Sequence, residues 1–576
     1  MASAGLFPIY RETAENPTEG VFQDLKEIQR KYGYLPPEQL QQVADRRKLH
    51  INYIHSIASF YPHFHLKAPA RVDVRVCGDM SCHLREADHL RSALEKNYRA
   101  EKSEDLSFRH ASCLGRCDSA PALSINDTIY SGLDVAGATD LIDRALTGKQ
   151  LPHPPREPQP VQLLSNPYID REPYGFLREY VKSQDWRAVI ATLKEAGLRG
   201  MGGAGFPTGT KWELVRNAPG QVKYVVCNAD ESEPGTIKDR FIIEQIPELV
   251  VEGMVLAGLV TGAQRGYFYI RHEYEHQAEI MRAEIERCYR NRLLGSNLLA
   301  SGLSFDLEVF ISPGGYICGE ESALIEAIEG HRAEPRNKPP FPGTHGLWMK
   351  PTVINNVETF ALAVTALVRG PAWIKSQGKN GAAGMKFVGI SGHVRKPGVF
   401  EVVMGTTYRE LIEQYAGGMA GGASLKAFAP SGPSSGYLPA SFADLPLDWN
   451  AVAKVGSMVG SGAIVVCNQY TCMLDMALNA VTFFRNESCG KCVPCRTGSQ
   501  KLVTMLTQWT RGRAAAGERE LLEELFHALK MTSICGLGQI IPAPVASVFT
   551  HFNDEVEAHI KERRCPAQVC FGGSTQ

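Results

Sequence analysis

The sequence predicts a multidomain protein that combines α/β and all-α units, and three observations carry that prediction. At 576 residues the chain exceeds what one hydrophobic core organises and implies roughly three to five domains. Strand and helix patterns alternate between residues 166 and 384, as expected of a sheet covered by helices. Helical periodicity dominates near both ends, and the fifteen cysteines fall mostly into short-spaced groups outside the alternating region.

Charge and hydropathy narrow the class. With 61 basic and 62 acidic side chains the formal net charge is −1, so no global field favours nucleic acid or an anionic membrane. The N-terminal MASAGLFPIYRETAENP lacks a basic segment followed by an apolar core, so no secretory signal is expected. The most apolar helical run, Leu249 to Thr261, carries Glu252 and is too short to span a bilayer, so no membrane insertion is expected either. A large non-secreted chain with closely spaced cysteines points to metal or cluster ligation in a reducing compartment, and so to a cytoplasmic location.

Taken in order, residues 1–70 read as helical, with apolar periodicity in VFQDLKEIQRKYG and in PEQLQQVADRRKLHINYIHSIASFY, separated by Gly33 and Pro36. Residues 71–150 open with an alternating strand, VDVRVCGDMSCHL, that runs into Cys77 and Cys82; Cys113 and Cys117 follow in SCLGRCDSAP. Four thiolates from two loops suit a two-iron cluster, with structural zinc as the alternative. Residues 151–165 contain the proline-rich LPHPPREPQPVQ, expected to be a stiff linker.

Within residues 166–384, Gly200, Gly202, Gly203 and Gly205 leave a run of backbone without Cβ atoms whose N–H groups can close on a phosphate, ahead of a helical pattern that holds Lys211. A glycine loop without function is the alternative, and the spacing is not that of a Rossmann fingerprint. The apolar run Val222 to Cys227 ends in Asn228, Asp230, Glu231 and Glu233, which gathers polar groups at a strand's carboxyl end, where open α/β sheets bind ligands. Glu320 and Glu321 begin a helical pattern, where acidic residues also serve as ordinary first-turn stabilisers. Phe206, and Phe341 in KPPFP, sit on proline-bracketed loops that make poor core positions. Residues 385–470 read strand, turn, strand, helix, with no evident chemistry and an expected spacing or docking role.

Residues 471–576 turn helical. Cys489, Cys492 and Cys495 are separated by two residues each in ESCGKCVPCRTG, a run that wraps one corner of a cubane cluster, and Cys535 in SICGLGQ is expected as the remote fourth ligand of a [4Fe-4S] site. In the tail, His559, Cys565 and Cys570 lie close enough in sequence to share an ion, and Cys467 completes a tetrahedral zinc set; loose thiols on a frayed terminus are the alternative. Cys227, Cys288, Cys318 and Cys472 read as buried small apolar residues.

Three strings read together, GLRGMGGAGFPTGTKWELVRNAPGQVKYVVCNADESEPGTIKD, GGYICGEESALIEAIEGHRAEPRNKPPFP and ESCGKCVPCRTGS, closely resemble the NADH-binding flavoprotein subunit of respiratory complex I. The same family includes subunits of NAD-dependent hydrogenases, formate dehydrogenases and electron-bifurcating enzymes. The N-terminal cysteines and the Tyr-Leu-Pro-Pro turn resemble the small complex I subunit with a thioredoxin-like [2Fe-2S] domain, so two chains are expected to be fused here. The resemblance implies an α/β FMN and NADH domain, a small β-grasp (SLBB-like) domain and a helical [4Fe-4S] domain. It implies that Lys211 and the glycine-loop amides hold phosphates, and that Asn228, Asp230, Tyr316, Gly319, Glu320, Glu321, Asn355 and Asn356 line the flavin and nicotinamide site. Glu231 and Glu233 would shape the reacting centre, and Phe206 and Phe341 would flank the adenine.

Met201 and Leu214 depart from the family pattern, where arginine and an aromatic are common, which puts cofactor affinity and the choice of NAD or NADP in question. The implied cofactors are FMN, NAD(H), [2Fe-2S], [4Fe-4S] and, from the tail, zinc. The implied partners are other subunits that carry the terminal substrate site, such as a formate dehydrogenase, a hydrogenase or benzoyl-CoA reductase. Ferredoxin joins them if the zinc tail marks the bifurcating branch. A non-bifurcating NAD-reducing subunit, a relay that no longer binds NADH, and a free-standing NADH dehydrogenase are the rival readings.

Overall fold

The computed structural model describes residues 20–98, 105–154 and 161–571. The N-terminal stretch read for a signal and the middle of the proline-rich linker lie outside the described residues. Three sheets organise the chain. The first contains β1 (Val72–Cys77), β2 (Leu106–Ala111), β3 (Ala122–Ile125) and β4 (Thr128–Ser131), in the order β2-β1-β3-β4. β1 pairs in parallel with β2 and antiparallel with β3, and both cysteine loops leave from one end of this sheet.

The second sheet is wholly parallel: β5 (Tyr224–Ala229), β6 (Arg265–Ile270), β7 (Asp306–Ile311) and β8 (Thr352–Asn356), in the order β7-β6-β5-β8. β5 starts two residues later than the apolar run suggests, because Val222 is exposed and only from Tyr224 does the backbone pair with its neighbours. One face packs on the helices Pro247–Thr261, Glu275–Arg290 and Val357–Arg369 through Val225, Cys227 and Phe268. The opposite face, with Val226, Tyr267, Tyr269 and Phe310, joins a core that also holds Phe22, Leu25 and Tyr61. The N-terminal helices therefore roof the parallel sheet. Phe22 stacks on Phe310 at 6.2 Å, and the Tyr61 hydroxyl donates to the His331 carbonyl.

Three helices, not two, make up that roof: Val21–Tyr32, Pro37–Arg47 and Ile51–Ala58. The second sequence pattern breaks where Lys48 turns left-handed at φ 54° and His50 caps the next helix through Nδ1. The third sheet contains β9 (Met385–Gly392), β10 (Gly398–Val403), β11 (Leu425–Pro433), β12 (Leu438–Pro439) and β13 (Ala463–Asn468), in the order β10-β9-β13-β11-β12. A capping box of Thr407 and Glu410 starts the short helix that follows β10. The C-terminal helices, from Met473–Asn486 to Asn553–Ile560, share the core with the N-terminal roof. Among the described residues no helix is long and apolar enough to cross a membrane.

Candidate functional site

The glycine loop and the polar ends of β5 and β8 meet at the carboxyl edge of the parallel sheet, where a doubly wound sheet opens a crevice. The Gly200 N–H is taken by the Phe206 carbonyl at 2.8 Å, and the Met201 N–H by Thr359 Oγ1 at 2.9 Å. Among the described residues no acceptor meets the N–H groups of Gly202, Gly203 or Gly205. Gly203 and Gly205 have φ of 142° and 66°, and a Cβ at Gly202 would stand 3.0 Å from that of Asn356. The loop is thus a cradle of unsatisfied donors that side chains would fill.

Lys211 sits in the helix Thr208–Asn217, where its ammonium donates to the Ile354 carbonyl at 2.9 Å and lies 6.0 Å from the Phe206 ring centre. Burial lowers its pKa from the usual lysine value. Phe206 and Phe341 are 44% and 57% exposed, so neither belongs to the core.

The carboxylates divide into two kinds. Glu231, expected at the reacting centre, is fully engaged inside the protein. Its Oε1 accepts the Asp239 N–H at 2.7 Å, and its Oε2 accepts the Arg240 N–H and the Tyr274 hydroxyl at 3.2 and 3.0 Å. It caps the helix Lys238–Gln245, and burial raises it to about 7. Glu233 is held more loosely, by the Ser434 N–H and the Ser461 hydroxyl, both at 3.3 Å, and burial raises it to about 7 as well. Asp230 accepts from the Ser232 and Ser312 hydroxyls at 2.5 Å, and burial raises it to about 6.

Of the paired asparagines, Asn355 is buried and accepts the Trp212 indole N–H at 3.0 Å, so its side chain braces the glycine-loop helix. Asn356 donates to the Asn228 carbonyl and to Asp239 and accepts from Lys238, while Asn228 donates to the Gly319 carbonyl at 2.7 Å. These ties hold the strand ends in register beneath the crevice. Glu320 caps the helix Glu321–Ile328 through its Oε2 and pairs with Lys338 at 2.8 Å, which also pairs with Glu321 at 2.7 Å. Tyr316 packs on Phe483 at 5.2 Å, and its N–H is accepted by Glu487 at 2.6 Å.

Both thiol groups adjoin this crevice. Cys113 and Cys117 have sulfurs 3.4 Å apart, and Cys77 contacts Cys82 and Cys113, so four buried thiols from two loops converge. The Gly235 N–H points at the Cys117 sulfur at 3.2 Å, which seats the cysteine loop on the segment after Glu233. On the other side, Cys492 and Cys535 stand at helix N-termini beside Cys489 and Cys495. Burial raises Cys495 to about 12 and Cys535 to about 11, so iron must displace protons when these thiols ligate it.

Comparison with known proteins agrees with this geometry. The model for the Nuo51 FMN-binding domain matches residues 193–365, that for the thioredoxin-like [2Fe-2S] ferredoxin 9–146, that for the SLBB domain 387–437, and that for the NADH-ubiquinone oxidoreductase-F iron-sulfur binding region 475–559. The NADH-quinone oxidoreductase F subunit 2 of Rhizobium meliloti is 42% identical over 393 residues, which span 68% of this chain and 93% of that protein. The chain belongs to the family of NADH-quinone oxidoreductase F subunits. Subunit HndC of the NADP-reducing hydrogenase of Solidesulfovibrio fructosivorans is 41% identical over 382 residues, 66% of this chain and 78% of HndC. A solved NAD+-reducing [NiFe]-hydrogenase in its H2-reduced state aligns with a TM-score of 0.84 at 30% identity, and covers 95% of each chain. This family member is therefore a flavin and iron–sulfur NADH oxidoreductase subunit, and its partners are other subunits of a larger complex. Its cradle of free N–H groups and its two convergent thiol sets fit FMN and the two clusters.

In the tail of this family member, the structure replaces one expected ligand. Cys467 lies in β13, fully buried and paired in register with Ala427, away from the tail. Cys472, read as a small apolar residue, instead joins His559, Cys565 and Cys570, with all four donor atoms within 4.8 Å of one another. Cys472 follows β13 at the start of the helix Met473–Asn486, and the turn between them carries its sulfur to 3.5 Å from His559 Nε2. His559 Nδ1 faces the Glu555 carbonyl at 2.6 Å, which leaves Nε2 as the free lone pair.

Several site residues escaped the sequence reading. Arg271, at the end of β6, donates to the Glu231 and Cys113 carbonyls at 2.5 and 2.7 Å and pairs with Glu273 at 2.9 Å. Lys386, on β9 of the SLBB unit, lies 3.3 Å from both Glu358 and the Met201 carbonyl, so that unit braces the glycine loop. Burial lowers Lys386 to about 8, whereas Lys238, between Asp239 at 2.6 Å and Glu358 at 3.0 Å, stays charged. Lys338 has a signal in sequence, since a lysine precedes the PPFP loop; Arg271 and Lys386 have none, because the site contacts they make, to Glu231, Cys113, Met201 and Glu358, lie far away along the chain.

Proposed function

We propose that this subunit passes electrons between NADH and its partner subunits through one crevice that both thiol sets flank. The observation that carries this reading is the pair of ties on either side of that crevice. Arg271 and Gly235 fasten the Cys113–Cys117 loop to the segment around Glu231, and Glu487 links Ser112 and Tyr316 two residues ahead of Cys489. FMN, when bound, supplies the conversion between hydride transfer and single-electron transfer, and the clusters supply one-electron storage. The free N–H groups of Gly202, Gly203 and Gly205 bind phosphate, with Lys211 close by to add positive charge. Phe206 and Phe341 offer exposed rings for the adenine, and Lys338 pairs with Glu320 and Glu321 beside the crevice and so lowers the negative charge that a bound dinucleotide would meet. Burial raises the Glu233 carboxyl, which favours a proton on it beside the crevice. Glu231 acts by position, as the cap that fixes the Asp239–Arg240 turn.

The domain divisions given above serve as functional units in this reading: 71–150 and 471–576 hold the clusters, 166–384 the flavin, and 385–470 the brace. The His559, Cys472, Cys565 and Cys570 set holds a structural zinc, with one imidazole and three thiolates in the tetrahedral arrangement zinc prefers. A cytoplasmic location follows from eight cluster thiols that must stay reduced. Ferredoxin as a second carrier rests on the tail alone, and reduction of added ferredoxin by NADH in the native complex tests it.

The deciding experiment is anaerobic addition of NADH to the purified chain. About six irons and one FMN per chain are expected, from a two-iron and a four-iron centre. Flavin bleaching and reduced-cluster EPR signals should follow. A chain with full iron and flavin content that does not bleach would be a relay and would sink the proposal.

A further inference from the structure

A second set of metal-ligating side chains lies far from the tail, where three units of the chain meet. His63 follows the roof helix Ile51–Ala58, Asp127 occupies the β3–β4 turn, and His272 lies two residues beyond β6 of the flavin sheet. One donor atom from each lies within 4.8 Å of the other two. The two imidazole rings face each other at 4.2 Å, tilted by 38°. Among the described residues no hydrogen bond reaches a ring nitrogen of either histidine. Glu273 Oε1 stands 3.8 Å from His63 Nε2, near enough to join as a fourth donor.

The backbone is shaped to admit this cluster. Gly314 has φ 90°, and a Cβ there would fall 2.3 Å from His63 Cδ2 and 2.4 Å from Nε2, so the imidazole occupies the space a side chain would take. Two cavities, of about 1730 and 750 Å³, adjoin the set, and His63, Asp127, His272 and Glu273 line both. A ligand can therefore reach the donors from solvent, and an open coordination position would face water. The competing cation is Arg75, 3.4 Å from one Asp127 oxygen; it is already paired with Asp73 at 2.7 Å, and the nearby Arg271 is paired with Glu273.

We propose that His63, Asp127 and His272 bind a divalent transition-metal ion of the zinc class, which cross-links the N-terminal roof, the [2Fe-2S] domain and the flavin sheet. Two imidazoles and a carboxylate are a donor set such ions favour over magnesium or calcium, which take oxygen ligands. Each ligand comes from a different unit, so the ion would act where the thiol sites do not, by clamping the two halves of the fused chain. The proposal does not depend on NADH chemistry.

The test is zinc content after chelator treatment and equilibrium dialysis of the full, flavin- and iron-loaded chain against zinc. Four proteins are compared: wild type, Cys565→Ser to remove the tail set, and Asp127→Asn and His272→Gln each in the Cys565→Ser background. Cys565→Ser should retain one zinc equivalent, with an X-ray absorption shell of N and O at about 2.0–2.1 Å and no sulfur shell at about 2.3 Å. Asp127→Asn in the Cys565→Ser background should lose that equivalent while iron and flavin content stay at the wild-type level. Asp127 lies on an exposed turn, so this variant carries the test even if His272→Gln loses iron. A Cys565→Ser chain that binds no zinc, or one whose zinc survives both Asp127→Asn and His272→Gln, overturns the proposal.

Discussion

Glu252 lies fully buried in the helix Pro247–Thr261, and its Oε1 accepts the Tyr168 hydroxyl at 3.0 Å and the Leu177 N–H at 2.9 Å. Among the described residues its Oε2 has no hydrogen-bond partner, and burial raises the carboxyl to about 7. The folded state therefore holds a proton that the unfolded chain releases near pH 4.5. Its contribution to stability is greatest below that value and falls as pH rises toward 7, the reverse of a salt-bridged carboxylate. Glutamine mimics the neutral acid. Glu252→Gln should shrink the loss of unfolding free energy between pH 5 and pH 8, read from denaturant titrations, by on the order of 3 kcal/mol at about 1.4 kcal/mol per pH unit. An unchanged drop would show that Glu252 does not titrate in this window. In the sequence, Glu252 was legible only as a break in an apolar run; nothing local reveals that Tyr168 and Leu177 receive it.

At the scale of elements, that helix and its neighbour Val357–Arg369 approach so closely that glycine is required at the crossing. A Cβ at Gly253 would lie 2.3 Å from the Phe360 carbonyl oxygen; away from that crossing, one at Gly258 would lie 2.2 Å from the ring of Phe305, just before β7. Alanine favours an isolated helix over glycine by about 1 kcal/mol, but a clash with rigid backbone costs about 1–3 kcal/mol or more. Gly253→Ala should thus lower stability in denaturant titrations, and a stabilised variant would refute the crossing geometry. The sequence shows this helix clearly, as it does the parallel strands and both cysteine pairs, because periodicity and spacing are local signals. It does not show the break at Lys48, which depends on a left-handed residue and a histidine cap. Nor does it show that Cys472 rather than Cys467 faces the tail: the two lie close together in the chain, and only the turn after β13 decides which sulfur points to His559.

At the scale of the molecule, the fused arrangement holds together through side-chain and backbone ties between its units as well as through apolar contacts. Periodicity marked residues 20–60 as amphipathic, yet a hydrophobic face does not name its partner, and the flavin sheet beneath it was not legible. The ties that dock the [2Fe-2S] unit include Arg271, the N–H of Gly235, His83 with Asp475 at 2.7 Å, Asn479 with the Gly78 carbonyl at 2.7 Å, and the ion pair of Asp118 with Arg240 at 2.7 Å. The last of these uses the Arg240 side chain, so Asp118→Asn weakens it while the bond from the Arg240 N–H to Glu231 stays in place. Removal of Asp118 leaves the Arg240 guanidinium half-buried beside Arg116, at a cost of about 1–3 kcal/mol for an unsatisfied charged group. That cost falls on docking, because each unit keeps its own core. In wild type, visible circular dichroism of the [2Fe-2S] centre and flavin fluorescence should melt together. In Asp118→Asn the cluster signal should melt several degrees earlier, since about 1 kcal/mol shifts the midpoint of a domain of roughly 60–100 residues by about 4–8 °C. Coincident transitions in the variant would mean that the apolar contacts alone set the docking, and Arg240→Gln would then be silent as well.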